Sequence, residues 1–271
     1  MLLVFCAILT AIGSASAADP TLVLMLDGQS RSLPARELLA RADAMTADIA
    51  HDVSYRHAMS YRAVPLASLL AGAHLGPEAF LEIKALDGFV SELPAALALN
   101  RDPAKGIAML AVEDPDKPWP ALPGKKVTAG PFYLVWTGPG ASAILSEQWP
   151  YQIASIAEAE SPLKRWPQLG VASTLAQDDP RRAGEALYMV QCLVCHKLAG
   201  AGTSEVGPDL NRPMSPTEYF TPAAFARYLR DPGSVRDWPG RKMMGFGPHT
   251  LTDVDINHII AYLKYKADTR P

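Results

Sequence analysis

The tightest constraint on this chain is one pentapeptide in its second half, Cys192-Leu193-Val194-Cys195-His196. The only other cysteine is Cys6, so two thiols two residues apart are all that the body of the chain offers. A pair this close constrains too short a loop to staple a large fold. Its spacing instead suits attachment of a cofactor. Two thiols placed this way can add to the two vinyl groups of one haem, and the adjacent imidazole can then reach the iron from the same side. With three Cys and six His in 271 residues, roughly 0.0007 such motifs are expected by chance. A disulfide-exchange pair would open a helix after a strand, whereas this pair closes a helical pattern. A zinc site would need a second pair of ligands, and the cysteine count leaves none.

Export fits that chemistry. Residues 1–17, MLLVFCAILTAIGSASA, form an uncharged apolar run ending in the small-x-small pattern Ala15-Ser16-Ala17. They read as a signal peptide over 1–18, too short for a comfortable transmembrane helix. Cleavage would leave a periplasmic protein with no stable membrane span, and Phe5 before Cys6 argues against a lipid anchor. A net charge of −3 gives no reason to expect nucleic acid as a partner.

Residues 161–177 mix Pro, charge and small polar residues without a period and read as a linker. They separate residues 19–160 from residues 178–271. The first part is predicted to be mixed α+β and strand-rich. Its strands are expected at Thr21–Leu26, Phe80–Ala85, Ile107–Val112 and Val127–Val135, with short helices at Pro34–Ala42 and Val64–Ala71. No internal repeat stands out. The second part is predicted to be all-α. Helices start at Asp179-Pro180, at Thr221-Pro222 and at Thr252, the last with an apolar stripe of Val254, Ile256, Ile259, Ile260 and Leu263.

A haem iron needs a sixth ligand or an open position. The Gly/Pro-rich stretch Lys242-Met243-Met244-Gly245-Phe246-Gly247-Pro248-His249 offers Met243, Met244 and His249. Arg212, Trp238 and Arg241 flank these loops and are candidate donors to haem propionates, although exposed arginines and a core Trp are the commoner use of such residues.

Residues 180–271 resemble a class I cytochrome c domain. Gly184 and Tyr188 match the glycine and aromatic of its first helix, Gly207-Pro208-Asp209-Leu210 its proximal loop, and Tyr262 the aromatic of its last helix. Met243 stands eight residues before Leu251, as the ligand Met of that family does. The resemblance implies one covalent haem c on Cys192 and Cys195, His196 as the proximal ligand, and the Pro208 carbonyl accepting the imidazole Nδ1–H. It implies Met243 as the distal ligand. Met244 is the alternative, because it occupies the place where the family usually has Pro.

In the N-terminal part, Ala129-Gly130-Pro131-Phe132-Tyr133-Leu134-Val135-Trp136 and Glu147-Gln148-Trp149-Pro150-Tyr151 are similar to the molybdopterin-binding domain of sulfite-oxidase-type enzymes. The same resemblance runs through Tyr61-Arg62-Ala63-Val64-Pro65-Leu66 and Ala85-Leu86-Asp87-Gly88-Phe89. In that family a cysteine binds molybdenum. Residues 7–191 contain no Cys, so no molybdopterin is expected, and a docking or recognition role is. His51, His57 and His74 have no metal-pair spacing, and Trp136, Trp149 and Tyr151 are better explained as core than as a pocket.

These readings converge on a periplasmic monohaem electron carrier with a redox partner protein. Two alternatives stay open: an oxidoreductase acting on a small substrate bound between the domains, and a redox-sensing binding module.

Overall fold

The computed structural model describes residues 18–270. The expected signal peptide, except for Ala18, lies outside them. Two separate apolar clusters divide the chain. One gathers buried side chains from Leu22 to Ile156, the other from Leu169 to Leu263. The protein therefore has a strand-rich N-terminal domain and a helical C-terminal domain.

The first cluster lies between two sheets. β1 (Thr21–Leu26), β2 (Gln29–Pro34), β5 (Phe80–Ala85), β6 (Val90–Pro94) and β9 (Ile153–Ala159) form a five-stranded sheet in the order β2-β1-β9-β5-β6. β3 (Met45–Ile49), β4 (Met59–Pro65), β7 (Ile107–Val112) and β8 (Phe132–Thr137) form the second, in the order β3-β4-β7-β8. Among the described residues only the β1–β9 pair is parallel. Asp27-Gly28 closes the first hairpin with both residues at positive φ, 52° and 70°, as a two-residue turn between twisted strands requires. The expected strand Val127–Val135 is shorter at its start. β8 begins at Phe132, after a proline that has no N–H to give a ladder.

The domain also contains a structural recurrence without a matching sequence repeat. Each of the first three hairpins runs into a short helix through a proline: β2 into α1 (Ala35–Leu39), β4 into α2 (Leu66–Leu69) and β6 into α3 (Ala95–Ala98). Pro34, Pro65 and Pro94 sit at the helix caps in extended conformation, with φ near the value set by the ring. Leu33, Val64 and Leu93 before them and Ala35, Leu66 and Ala95 after them are all buried. Each proline thus ends strand pairing and turns an apolar edge inward at the same step.

Asp52 is the polar centre of this core, 2% exposed. One carboxylate oxygen accepts from the Ser54 and Tyr55 N–H groups at 2.9 and 2.8 Å and from the Tyr133 hydroxyl at 3.2 Å. The other accepts from Tyr61 Oη at 2.8 Å. Burial, followed by the charge of Asp52, drives both phenols well above their ordinary pKa, so they remain donors. Asp52→Ala would strand the buried Tyr55 N–H and Tyr61 hydroxyl and the part-buried Ser54 N–H, while Tyr133 Oη keeps Ser54 Oγ at 3.1 Å. At about 1–3 kcal/mol for each unsatisfied group, partly relieved by water, a loss of about 4 kcal/mol is expected. Urea unfolding followed by tryptophan fluorescence would measure it.

The segment 161–177 is partly ordered into α4 (Pro162–Arg165) and a 3₁₀ turn at Pro167–Leu169. Leu169 is fully buried in the second cluster, and its carbonyl accepts from Tyr262 Oη at 2.7 Å. The C-terminal domain then comprises α5 (Pro180–Gln191), α6 (Pro216–Tyr219), α7 (Pro222–Arg230), α8 (Pro232–Val235) and α9 (Asp253–Asp268). Asp179, Thr221 and Thr252 cap α5, α7 and α9 through their side chains. α5 crosses α9 at Gly184, with the Tyr188 and Tyr262 rings 5.4 Å apart. Among the described residues no helix is long and apolar enough to cross a membrane.

Candidate haem site

The site is built where α5 ends. Cys192 is its C-cap, and the Cys192 carbonyl accepts from Cys195 N at 3.1 Å and from His196 N at 2.8 Å. The pentapeptide therefore wraps as one more turn and keeps both thiols and the imidazole together. Burial pushes the Cys192 thiol up to about 12, with smaller contributions from Cys195 and Glu147. Burial and then Glu147 push Cys195 up to about 11. Burial disfavours the charged thiolate at both positions. A thioether carries no charge and tolerates the same burial.

The loop 199–211 comes back over the imidazole. Gly207 N donates to the Cys195 carbonyl at 2.7 Å, and Leu210 N donates to the Lys197 carbonyl at 2.8 Å. Asp209 holds the turn by accepting from the N–H groups of Ala199, Gly200 and Asn211. His196 Nδ1 lies 2.8 Å from the Pro208 carbonyl. A carbonyl only accepts, so Nδ1 carries the proton and Nε2 keeps the lone pair that a metal needs. Burial pushes the imidazole below its ordinary pKa, partly opposed by the Pro208 carbonyl. A Cβ at position 207 would fall 2.5 Å from His196 Cε1 and 2.6 Å from Nδ1, so only glycine lets the backbone approach the ring.

The methionine loop separates the three sixth-ligand candidates. Met243 is partly buried and packs on the C-terminal core, Met244 is 52% exposed, and His249 is exposed. The loop is clamped by residues that the sequence did not single out for this role. Arg230, in the last turn of α7, donates to the carbonyls of Phe246, at 2.8 Å, and Leu251, and pairs with Asp253 at 2.6 Å. Arg241, a candidate propionate donor, is occupied locally. It reaches the Met243 carbonyl at 2.7 Å and Asp237 at 2.9 Å. Arg212 is exposed and Trp238 is 44% exposed.

The N-terminal candidates do not converge. His51, His57 and His74 are exposed at separate places, and Trp136 and Trp149 are buried core residues. That domain does reach the cysteine turn. Glu147 lies close enough to influence both thiols, and the β5–β6 hairpin faces Leu193 and Val194 across a cleft of about 570 Å³.

Two thiols, an imidazole whose Nε2 has no hydrogen-bond partner among the described residues and a glycine at the face of the ring fit the attachment of a haem. Residues 179–263 match the family described as cytochrome c oxidase, cbb3-type, subunit III. The C-terminal domain is a c-type cytochrome domain. Such a domain implies haem c, electron transfer and a redox partner. No curated protein matches the chain. Among solved structures, the sulfane dehydrogenase SoxCD from Paracoccus pantotrophus is similar at 18% identity, over 51% of this chain and 38% of that one, with a TM-score of 0.36. This chain spans well under half of that chain's length.

Proposed function

We propose that this protein is an exported, periplasmic one-electron carrier holding a single haem c on Cys192 and Cys195, with His196 and Met243 as axial ligands. The observation that carries the reading is the His196 imidazole fixed by Pro208 beside two buried thiols, inside a domain matched to a cytochrome family. When bound, haem iron takes up and releases one electron. The chain's own contribution is to orient the imidazole through Pro208, keep that nitrogen neutral by burial, and hold the Met243 loop through Arg230 and Arg241. The N-terminal domain has no thiol for molybdenum and acts in docking or recognition.

Acid and organic extraction of mature protein, made with a working haem-attachment system, should leave the pigment on the chain, and an alkaline pyridine spectrum should report one haem per protein. Loss of all colour on extraction would refute covalent attachment. Met243→Leu should abolish the methionine-to-iron charge-transfer band at the red edge of the visible spectrum and open the reduced iron to carbon monoxide. Met244→Leu, at an exposed position, should do neither. The reverse pattern would make Met244 the ligand.

A further inference from the structure

Residues 162–176 do more than connect the domains. At their start, Arg165 reaches back to the N-terminal domain. Glu82 on β5 and Glu92 on β6 stand directly opposite each other in the strand pairing, where two like charges repel. Arg165 Nη1 donates to Glu92 Oε1 at 2.7 Å and lies 3.8 Å from Glu82 Oε2. Its guanidinium also stacks on the Trp166 ring at 4.3 Å. The Glu92 side chain is only 10% exposed, so a nearly buried carboxylate of one domain takes its cation from the connecting segment. Burial pushes the Glu92 pKa up, with Arg165 opposing and Glu82 adding.

The rest of the segment is held by the cytochrome domain. Leu169 is fully buried in its core, and the Leu169 carbonyl accepts from Tyr262 Oη. Lys266 Nζ donates to the Gly170 carbonyl at 2.9 Å, Glu185 accepts from Val171 N, and Tyr265 Oη accepts from Ala172 N at 3.1 Å. Arg182 on α5 donates to the carbonyls of Ser173 and Leu175 at 2.9 and 2.8 Å. A tether that lets two domains swing is a solvated coil, and this segment is bonded along its length instead. The β5–β6 hairpin that Arg165 grips is the one that faces Leu193 and Val194 across the cleft of about 570 Å³. A space of that size admits a small molecule and excludes a protein.

We propose that residues 162–176 form a latch, with Arg165 as its bolt, that locks the N-terminal domain over the cysteine turn and keeps protein-sized partners off that side of the cytochrome domain. Electron exchange with a partner protein is thereby confined to the remaining faces. That consequence rests on the haem reading above; the latch itself does not.

A single added thiol tests it in the mature, haem-loaded protein. Thr203 is exposed and lines the cleft. Thr203→Cys supplies the one free sulfur when both native cysteines are thioether-bonded. Val254→Cys, at an exposed position on α9 outside the cleft, is the reference. N-ethylmaleimide should label both positions at similar rates. A maleimide carried on a protein-sized polyethylene glycol should label position 203 at least about tenfold more slowly than position 254, as a closed arrangement held by a largely buried ion pair permits. Arg165→Met combined with Glu92→Gln opens the latch without leaving a buried charge unpaired. In that background the large reagent should label position 203 about tenfold faster than before, with N-ethylmaleimide changed by less than about twofold. The Soret band checks that the cytochrome domain stays folded. Equal labelling of positions 203 and 254 by the large reagent with the latch intact, or no gain in the double variant, would overturn the proposal. Protein without an added thiol should take up neither reagent, which checks the haem assignment separately from the latch.

Discussion

Gly184→Ala is expected to be the most damaging single methyl group that can be added to the cytochrome domain. The Cβ would fall 2.0 Å from the His258 carbonyl oxygen, 2.7 Å from its carbon and 2.7 Å from Tyr262 Cβ. Two of these atoms belong to the α9 backbone, which cannot turn aside as a side chain can. Relief requires α5 and α9 to separate. That separation would also part the Tyr188 and Tyr262 rings and pull Tyr262 Oη from the Leu169 carbonyl. Overpacking at a rigid contact costs on the order of 3 kcal/mol, and for a domain of this size that lowers the melting temperature by roughly 15 °C. Thermal unfolding followed at the haem Soret band would read it. Gly76→Ala, where nothing lies within 4 Å of the added carbon, is the control and should leave the Soret transition unmoved. A Gly184→Ala protein that melts with the parent would mean that the helices do not cross this closely.

The difference between what the sequence disclosed and what it hid follows from range. Helix starts are local, and Asp179-Pro180, Thr221-Pro222 and Thr252 each mark one within a few residues. Some strands with a buried face are visible as well, at Thr21–Leu26, Phe80–Ala85 and Ile107–Val112, whereas β4, β6 and β9 also bury one face and are not among the expected strands. β2 is not visible either, because QSRSLP is almost wholly exposed and carries no alternating apolar signal. The recurring hairpin-proline-helix unit was hidden for a related reason. It preserves one proline and the buried residues beside it, while the strand sequences differ. The cysteine turn was readable because its chemistry is contained in five consecutive residues. The Gly207 approach to His196 was visible only as a motif, and its cause appears once the loop closes. Arg230 gave no signal at all, since its acceptors lie 16, 21 and 23 residues downstream and two of them are backbone carbonyls.

That clamp carries the second large effect. Arg230→Met keeps most of the side-chain stem and removes the hydrogen bonds to Phe246 and Leu251, together with the ion pair to Asp253. Asp253 is 92% exposed, so its share is small. The carbonyl bonds come from a charged donor and are worth about 1.5–3 kcal/mol each where water is kept out. What remains at the junction is the Phe246 N–H bond to the Leu229 carbonyl at 2.9 Å and the close passage of Gly245 over Arg230 O. α5 is not involved and α9 only through its exposed first residue, Asp253, so the helical core should survive while the loop that carries Met243 loosens. With Met243 as the sixth ligand, the charge-transfer band should disappear at a lower temperature or urea concentration than the Soret band collapses. Carbon monoxide should meanwhile bind the reduced protein at least about tenfold faster than the parent, a change that about 1.4 kcal/mol is enough to produce. The two transitions would coincide in the parent and separate in the variant. Coincident transitions in Arg230→Met would show that the arginine is not what holds the loop. A charge-transfer band that persists in Met243→Leu would show instead that the loop presents a different ligand.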